Sequence, residues 1–338
     1  MRNILFAISG IVLLSGSFIS HAGTTNPPEA TAKQDSTLNV IGWFSKHDTL
    51  EYWISEGEWR INGTDTVKTA GIATKVRIVV TDSTPSGYKM DYTFLEFRGD
   101  TIENSTLNSF QNRLVEKHGS KIVGTTVHFE TDEFGEITKI TNLGQIKKQA
   151  KMLFKESIKE LAALPEMQTL KQVGFDVKDY TKDINADELV DGYLEELKLL
   201  FLCHGSTYDI GSSHEHEDAT DTAYENDTYR TVEVDTADGS YSISAVVESI
   251  IPQTELKAIV GGLIEEITDD ENLTESFDKN FDSQVKIDGT VSSYYSSDFR
   301  YDGWPYRVVK QNTTMIGDRG KASQTYIYLD SYSLHNHQ

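Results

Sequence analysis

Cysteine is almost missing from the sequence, and its scarcity excludes one way of stabilising the fold. Cys203 is the single cysteine in 338 residues, so no disulfide can form within the chain. Small secreted domains often need disulfides, but a chain of this length can bury a core without them. Hydrophobic residues make up 38% of the sequence, which predicts a folded rather than a disordered protein. A bacterial envelope origin therefore fits better than an animal secretory one.

Positive charge is also scarce. Lysine and arginine number 31 against 53 aspartate and glutamate residues, which gives a net charge of −22. An acidic surface repels phosphate backbones and anionic lipid headgroups. The composition therefore argues against nucleic acid as a partner and favours a soluble protein.

Long apolar runs are missing beyond the N-terminus. The one apolar stretch extends from Ile4 to Leu14, which is too short to span a bilayer. A short polar segment precedes it, and Ser20-His21-Ala22 places small residues where a signal peptidase cleaves. Residues 1–22 are therefore predicted to be a signal peptide, cleaved after Ala22. The mature protein is expected in the periplasm or outside the cell, without a transmembrane segment.

The end of the apolar stretch also bears on lipid attachment. Leu14-Ser15-Gly16-Ser17 resembles a bacterial lipobox in which serine replaces the lipidated cysteine, so a soluble product is expected. Residues 23–38 are polar, contain Pro27-Pro28 and are predicted to be a flexible spacer. Residues 39–338 are predicted to form a single domain, with a candidate subdivision near 205–228.

Alternation of apolar and polar residues predicts strands on both sides of the sequence. It is clearest at 76–80 and 88–94 and indicates half-buried antiparallel strands. A hairpin is predicted from strands at about 123–131 and 136–141. Further strands are predicted at 229–234, at 241–248 and from 285 to 332. The polar, acidic residues 211–228 show no periodicity and are predicted to be an exposed loop.

Helical spacing occupies the middle of the chain. Helices are predicted at about 146–161 and 186–203, each with one apolar face, with others at 107–114 and after Pro252. Strands followed by helices and then strands are typical of the α+β class. The expected fold is a curved, mainly antiparallel sheet, an open or partial barrel, with three or four helices packed against it.

The most ligand-rich stretch is His214-Glu215-His216-Glu217-Asp218. In an extended chain, His214 and His216 would project to the same side, and imidazole with carboxylate suits zinc or a similar ion. A third, distant ligand would still be needed, and a solvated acidic loop is the simpler interpretation. His214 and His216 are the candidate metal ligands, and no cofactor is predicted.

No catalytic motif is recognisable. Cys203-His204 invites a nucleophile–base interpretation, but adjacent residues at a helix end do not face each other. The apolar run from Leu199 to Leu202 favours a buried structural thiol instead. The sequence has no G-x-S-x-G, no P-loop and no G-x-G-x-x-G motif. No catalytic residue is therefore predicted.

Large aromatic residues near the predicted strands at both ends of the chain offer a binding surface. Aromatic rows on a sheet can line a pocket for a small hydrophobic or sugar-like ligand, and the alternative is ordinary sheet packing. The expected pocket is a cleft between the sheet and its helices. The candidate ligand-binding residues are Trp53, Trp59, Tyr294 and Trp304.

Two segments resemble a known group of proteins. Phe299-Arg300-Tyr301-Asp302-Gly303-Trp304-Pro305-Tyr306 resembles a late element of uncharacterised secreted Bacteroidetes proteins, and Phe129–Ile137 resembles their central hairpin. The resemblance covers about a third of the chain through short motifs. It implies a curved antiparallel sheet with helices on its concave side, similar to periplasmic lipoprotein carriers. It implies no activity, so no catalytic residue is transferred.

A short repeated motif fits the same origin. Asp-Ser/Thr followed by a small or apolar residue resembles the O-glycosylation acceptor of exported Bacteroidetes proteins. The alternative is that polar secreted strands and turns are rich in Asp-Thr. The candidate acceptors are Ser36, Thr49, Thr66, Ser83, Thr101, Thr222 and Thr236.

Three functions remain open at this point. The favoured one is an exported, soluble and non-catalytic binding or carrier protein of the cell envelope. The second is an extracytoplasmic hydrolase that acts on glycan through a carboxylate pair among the 53 acidic residues. The third is a structural or surface-interaction protein.

Overall fold

The computed structural model describes residues 36–99, 121–164, 167–168, 186–219, 224–257, 280–281 and 287–335. The predicted signal peptide, most of the spacer, the predicted helix at 107–114 and most of the helix after Pro252 lie outside these ranges. The helices are α1 (Leu143–Leu161) and α2 (Ala186–Leu200), and residues 253–257 are also helical. The strands are β1 (Thr37–Asn39), β2 (Thr49–Asn62), β3 (Asp65–Thr84), β4 (Gly87–Gly99), β5 (Thr126–Thr131), β6 (Ile137–Ile140), β7 (Thr207–Asp209), β8 (Gly211–Glu217), β9 (Asn226–Val234), β10 (Tyr241–Ile251), β11 (Gly289–Phe299), β12 (Pro305–Ile316) and β13 (Arg319–Ser333).

Eleven strands form one antiparallel sheet in the order β6-β5-β4-β3-β2-β13-β12-β11-β10-β9-β8, and β1 pairs with β7 in a separate ribbon. The sheet is therefore two meanders that join where β2 pairs with β13. It is not closed, because β6 and β8 are its two edges. This β-rich, open sheet with few helices fits the predicted α+β class and the predicted curved sheet. Strands from both sides of residues 205–228 belong to it.

The strand register assigns each side chain to one of two faces, because paired residues share a face and neighbours along a strand alternate. Leu50, Tyr52 and Ile54 of β2 pack in one cluster with Leu153 of α1 and Leu197 of α2. We call their side of the sheet the inner face, and the opposite side the outer face. The helices therefore cover the inner face, as their single apolar faces predict.

The main core lies between this inner face and the two helices. On α1, Ile146, Ala150, Leu153 and Phe154 are buried at helical spacing. Asn142, just before α1, accepts a hydrogen bond through its side-chain Oδ1 from the backbone N–H of His128 on β5. The predicted hairpin and both predicted central helices are confirmed. No helix in the described ranges is long and apolar enough to cross a membrane.

The predicted loop at 211–228 is wrong for part of its length. Residues Gly211–Glu217 form β8, and β9 begins at Asn226. Every residue of β8 is exposed, and among the described strands it pairs only with β9, at the edge of the sheet. An edge strand with solvent on both faces has no apolar alternation, so periodicity could not reveal it.

A compact corner forms at the turn between β11 and β12. The Gly303 backbone has φ +83°, and a Cβ atom there would overlap the carbonyl oxygen of Ile41. Only glycine meets both conditions, so the turn lies directly against the segment before β2. Trp304 follows as a fully buried side chain, its ring 4.0 Å from that of Phe44. Its indole N–H donates to Asp48 at 3.5 Å.

Candidate functional site

The described helices cover the inner face unevenly. On β2 to β4, inner residues such as Tyr52, Val76 and Tyr92 are completely buried. On β10 and β11, the inner residues midway along the strands are only half-buried. We call these residues the inner strip: Ala245, Val247, Val291 and Ser293. Small and β-branched residues suit a pleated sheet. Their short side chains also let a molecule that packs on this face come close to the backbone.

One end of the inner strip is apolar. Ile251, Leu256 and Phe281 pack together there, with Val291 of the strip against them. Gly289 pairs with Ile251, and a Cβ atom on Gly289 would lie 3.0 Å from a Leu256 methyl carbon. The glycine therefore lets Leu256 lie flat on the strand. We call the cluster Ile251, Leu256 and Phe281 the apolar end.

The other end of the inner strip is polar. Tyr295 pairs with Ala245, and Ala245 pairs in turn with Arg230 on β9, so all three share the inner face. The Cys203 sulfur lies 3.4 Å from the Tyr295 hydroxyl oxygen. The Arg230 guanidinium lies 5.9 Å from the ring centre of Tyr208, whose hydroxyl also bonds the thiol. We call Cys203, Tyr208, Arg230 and Tyr295 the polar end.

Burial controls the protonation of the polar end. It raises the pKa of the Cys203 thiol and that of the Tyr208 and Tyr295 hydroxyls above their ordinary values. All three groups are therefore neutral near pH 7 and can donate hydrogen bonds. Arg230 supplies the only positive charge within the polar end, and its Nη1 is 3.7 Å from Glu215.

Tyr241 borders the polar end, and its hydroxyl has no hydrogen-bond partner in the part of the chain that the structure describes. Its ring stacks on Phe299 with centres 4.8 Å apart, and it packs in the same cluster as Cys203. The residue is 8% exposed, and its hydroxyl meets no hydrogen-bond partner among the described residues. Buried hydroxyls without a partner are uncommon in folded proteins.

A salt bridge forms one side of the inner strip. Lys310 pairs with Tyr295 across the sheet, so its side chain is also on the inner face. Its ammonium group lies 3.1 Å from Glu195 of α2. The bridge links the helix to β12 beside the polar end. From Ala245 to Ile251 the chain advances six residues, which corresponds to ~20 Å of strand.

The four aromatic residues predicted to bind ligand do not share one cleft. Trp304 is fully buried in the corner near Phe44. Trp53, Trp59 and Tyr294 lie on the outer face, because each alternates with inner residues of its own strand. The predicted position of these three residues, in a cleft between the sheet and the helices, is therefore corrected. Neighbouring aromatic residues alternate in direction, so Tyr52 points to the inner face and Trp53 to the outer face. Ligand binding by these side chains stays a prediction.

Cations lie beside the outer-face tryptophans. The Arg98 guanidinium is 4.5 Å and the Lys75 ammonium 5.8 Å from the Trp53 ring centre. Lys68 lies 5.6 Å from the Trp59 ring centre. These cation–π contacts explain why large aromatic side chains are found on the polar outer face.

His214 and His216 project together from β8, as an extended H-x-H predicts. Both contact the same oxygen of Asp227, at 2.7 Å and 3.0 Å. The hydrogen bond to Asp227 raises the pKa of His216, and the His214 contact is the main cause of a lowered pKa at Asp227. In the described ranges, no group of three or more such side chains is arranged for a metal ion. Metal binding here stays a prediction.

Cys203 and His204 belong to different surroundings. Cys203 is 2% exposed and faces the polar end, which confirms the predicted buried thiol. The His204 ring nitrogen Nε2 donates to the Gly303 carbonyl at 3.0 Å, and the ring lies among Phe44, Phe201 and Phe299. Burial lowers the pKa of His204 to about 4. The two side chains therefore do not form a nucleophile–base pair.

The candidate glycosylation sites differ in accessibility. Ser36, Thr66, Ser83 and Thr236 are exposed. Thr49 is half-buried, and its hydroxyl donates to the His47 carbonyl at 3.1 Å. Thr101 and Thr222 lie outside the described residues.

The residues of the polar end were missed by sequence reasoning. Tyr208 and Arg230 are separated in the sequence by the polar strand β8 and the residues after it, and only folding brings them to Tyr295. The one available signal was alternation: Ser293, Tyr295 and Ser297 occupy every second position of β11 and thus one face.

Comparison with known proteins gives weak likenesses only. No protein-family model matches the sequence, and no curated protein matches it. Among solved structures, lipovitellin aligns with a TM-score of 0.34 and 9% identity, over 87% of this chain and 26% of that chain. A candidate outer-membrane lipoprotein-sorting protein domain from Vibrio parahaemolyticus aligns with a TM-score of 0.14 and 8% identity, over 88% of each chain. TM-scores below 0.5 do not establish a shared fold, so function rests on the geometry.

Proposed function

We propose that this protein is an exported, soluble, non-catalytic carrier of the cell envelope, which holds a small apolar or amphipathic molecule on the inner strip. The inner strip itself is the observation that carries the proposal. It is the part of a largely buried sheet face where apolar side chains remain half-exposed, between a polar and an apolar end.

The hydrophobic effect supplies the binding energy. Each methylene group that leaves water contributes about 0.8 kcal/mol, so a chain of several methylenes lying along the strip binds measurably. Inner-face residues of β2 to β4 are already buried against the helices, so the same face that carries the strip also carries a rigid core. Ligand sites of this kind combine an apolar lining with a few polar groups that fix orientation.

A carrier rather than an enzyme is favoured by the state of the reactive groups. The Cys203 thiol is held neutral by burial, which raises its pKa, and a neutral thiol is a poor nucleophile. His204 is held neutral by a pKa of about 4, and its Nε2 is committed to the Gly303 carbonyl. Neither group is poised for covalent catalysis at neutral pH.

A neutral naphthylamine dye, which fluoresces in apolar surroundings, tests the proposal. Val247→Glu places a charge on the strip, and we expect it to weaken dye binding by about tenfold or more, since a buried charge is costly. Val246→Glu is the matched control, because Val246 is the adjacent residue on the outer face. Binding that is equal in both variants and the wild type would rule out the inner strip as the site.

Export and modification are part of the same proposal. Processing after Ala22 and glycosylation at exposed acceptors such as Ser36, Thr66 and Thr236 are consistent with a protein of the envelope. The intact mass of protein purified from its own host should equal residues 23–338 plus discrete glycan increments. Peptide mapping should leave Thr49 unmodified, because its hydroxyl is half-buried and hydrogen-bonded. A mass equal to the full, unmodified chain would contradict both statements.

A further inference from the structure

We infer that the inner strip selects a long-chain carboxylate, a fatty acid, whose carboxylate binds at the polar end and whose chain extends toward the apolar end. This inference rests on the proposed function, because it names the ligand class of the same site. Four features of the described residues lead to it: the donors at the polar end, the unpaired Tyr241 hydroxyl, the local charge and the dimensions of the strip.

The polar end combines three neutral hydrogen-bonding groups with one cation and contains no carboxylate. The Tyr208 and Tyr295 hydroxyls and the Cys203 thiol are neutral, because burial raises the pKa of each, and both hydroxyls bond the thiol, so the three groups form one neutral hydrogen-bonded cluster. Arg230 adds a planar guanidinium on the same face, two strands from Tyr295. A guanidinium binds a planar carboxylate through two parallel hydrogen bonds. The ligand chemistry that complements this set is an anionic oxygen pair.

The Tyr241 hydroxyl provides an independent indication of a ligand. It is buried within the same cluster as Cys203 and has no hydrogen-bond partner among the described residues. Leaving such a donor unpaired is unfavourable, and a ligand oxygen at the polar end would pair it. Tyr241 of β10 pairs with Phe299 of β11. Phe299 lies two residues after Ser297 and therefore on the same inner face.

The charges near the polar end permit an anion despite the net charge of −22. The carboxylate that faces Arg230 is Glu215, 3.7 Å away on the exposed edge strand β8, with 63% of its side chain exposed. A pair this long and this exposed is weak, so a ligand carboxylate can replace Glu215 at little cost. The charge of Asp302 contributes to the raised pKa of Tyr241, but Asp302 is already paired with a cation, because its Oδ2 lies 3.3 Å from Nε of Arg300. Lys310 is occupied by Glu195.

The dimensions of the strip favour a single hydrocarbon chain. The distance from Ala245 to Ile251 is ~20 Å along the strand. A bilayer core is ~30 Å thick, so one acyl chain of a leaflet extends ~15 Å and fits within the strip. The strip lies on two neighbouring strands, whose axes are about 5 Å apart, which accommodates one chain rather than the two of a diacyl lipid.

Competition against the naphthylamine dye separates the carboxylate from its chain. Hexadecanoate and hexadecan-1-ol share one chain and differ in the head. We expect hexadecanoate to displace the dye at a concentration about tenfold lower than hexadecan-1-ol. Arg230→Gln should remove that preference, whereas Arg77→Gln, which changes an exposed outer-face arginine paired with Glu51, should keep it.

Tyr241→Phe distinguishes a ligand-binding hydroxyl from a merely unpaired one. We expect weaker hexadecanoate binding by a factor of about three to ten, together with an unchanged or higher melting temperature of the free protein, because the variant removes an unpaired buried donor. Equal affinity for acid and alcohol in the wild type, or a preference that survives Arg230→Gln, would overturn the inference while the carrier function stands. A protein that binds neither compound nor the dye would contradict the carrier function itself.

Discussion

At the scale of single residues, the core sets the chemistry of its polar side chains, and His204 shows this most directly. Its ring is 2% exposed and surrounded by three aromatic rings. Burial lowers its pKa from 6.5 to about 4. The unfolded chain therefore takes up a proton near pH 6.5, whereas the folded protein does so only near pH 4. The contribution of His204 to the free energy of unfolding is therefore fully present above pH 6.5 and decreases as the pH is lowered toward 4.

This linkage predicts a measurable change in stability. A pKa difference of this size corresponds to roughly 3 kcal/mol of unfolding free energy lost between pH 6.5 and pH 4. We expect His204→Phe to have a shallower pH dependence than the wild type in urea unfolding, although it leaves the Gly303 carbonyl without its donor and lowers stability at pH 7.

His47→Asn serves as the control for that comparison, because His47 is exposed and its replacement leaves the buried ring in place. The control should keep the wild-type pH dependence. An equally steep loss of stability in His204→Phe and the wild type would show that His204 is not the group responsible.

The sequence allowed some residue-scale predictions and not others. The apolar run before Cys203 correctly indicated a buried thiol, because burial of a small side chain follows from its neighbours on a helix end. Trp304 was expected at a ligand surface, yet it fills the corner against Phe44. Nothing local distinguishes the two outcomes, because its burial depends on Gly303 allowing the turn to touch Ile41, more than 250 positions earlier in the chain.

At the scale of elements, the edge strand β8 depends on side chains as well as on its backbone pairing. All of its residues are exposed, so no apolar burial holds it against β9. His214 and His216 both contact Asp227 of β9. The hydrogen bond between His216 and Asp227 raises the pKa of His216. A raised histidine pKa contributes stability at low pH that is lost as the pH rises above 6.5 through the folded-state pKa.

Hydrogen exchange of β8 tests this contribution. We expect Asp227→Asn to speed exchange of the amides in Gly211–Glu217 at pH 6, after correction for intrinsic rates, because His216, whose pKa Asp227 raises, loses that carboxylate. The difference from the wild type should shrink at pH 9, because the stability linked to the raised pKa of His216 is lost as the pH rises. Glu233→Gln, on the same strand and face, is the control. Exchange in Asp227→Asn that matches the wild type at both pH values would contradict a role for the histidine contacts.

Elements with one buried face were predictable and elements without one were not. Helices α1 and α2 and the hairpin of β5 and β6 have apolar periodicity that survives in the structure. Strand β8 has none, and the aromatic pair Tyr52 and Trp53 shows why a face is harder to predict than a strand. Both residues suit a strand, and only the register with β3 and β13 shows that Tyr52 is inner and Trp53 outer.

At the scale of the whole molecule, two meanders meet at β2 and β13 and leave the sheet open. The pairing of Thr49 with Ser333 joins residues near opposite ends of the sequence. Local patterns could predict an antiparallel sheet but not this strand order, because such long-range pairings leave no local signal. The inner strip follows from that order, since β10 and β11 stand away from the strands that α1 and α2 cover completely.

The central claim is that ligand lies on the inner strip, and photo-crosslinking locates it directly. A neutral long-chain alcohol with a diazirine at mid-chain, activated on the protein, should label inner residues such as Val247 and Val291, as read by tandem mass spectrometry. Excess unlabelled alcohol should abolish the labelling. Labels on outer residues such as Val246 and Tyr294 instead, or labelling that does not saturate, would contradict the account.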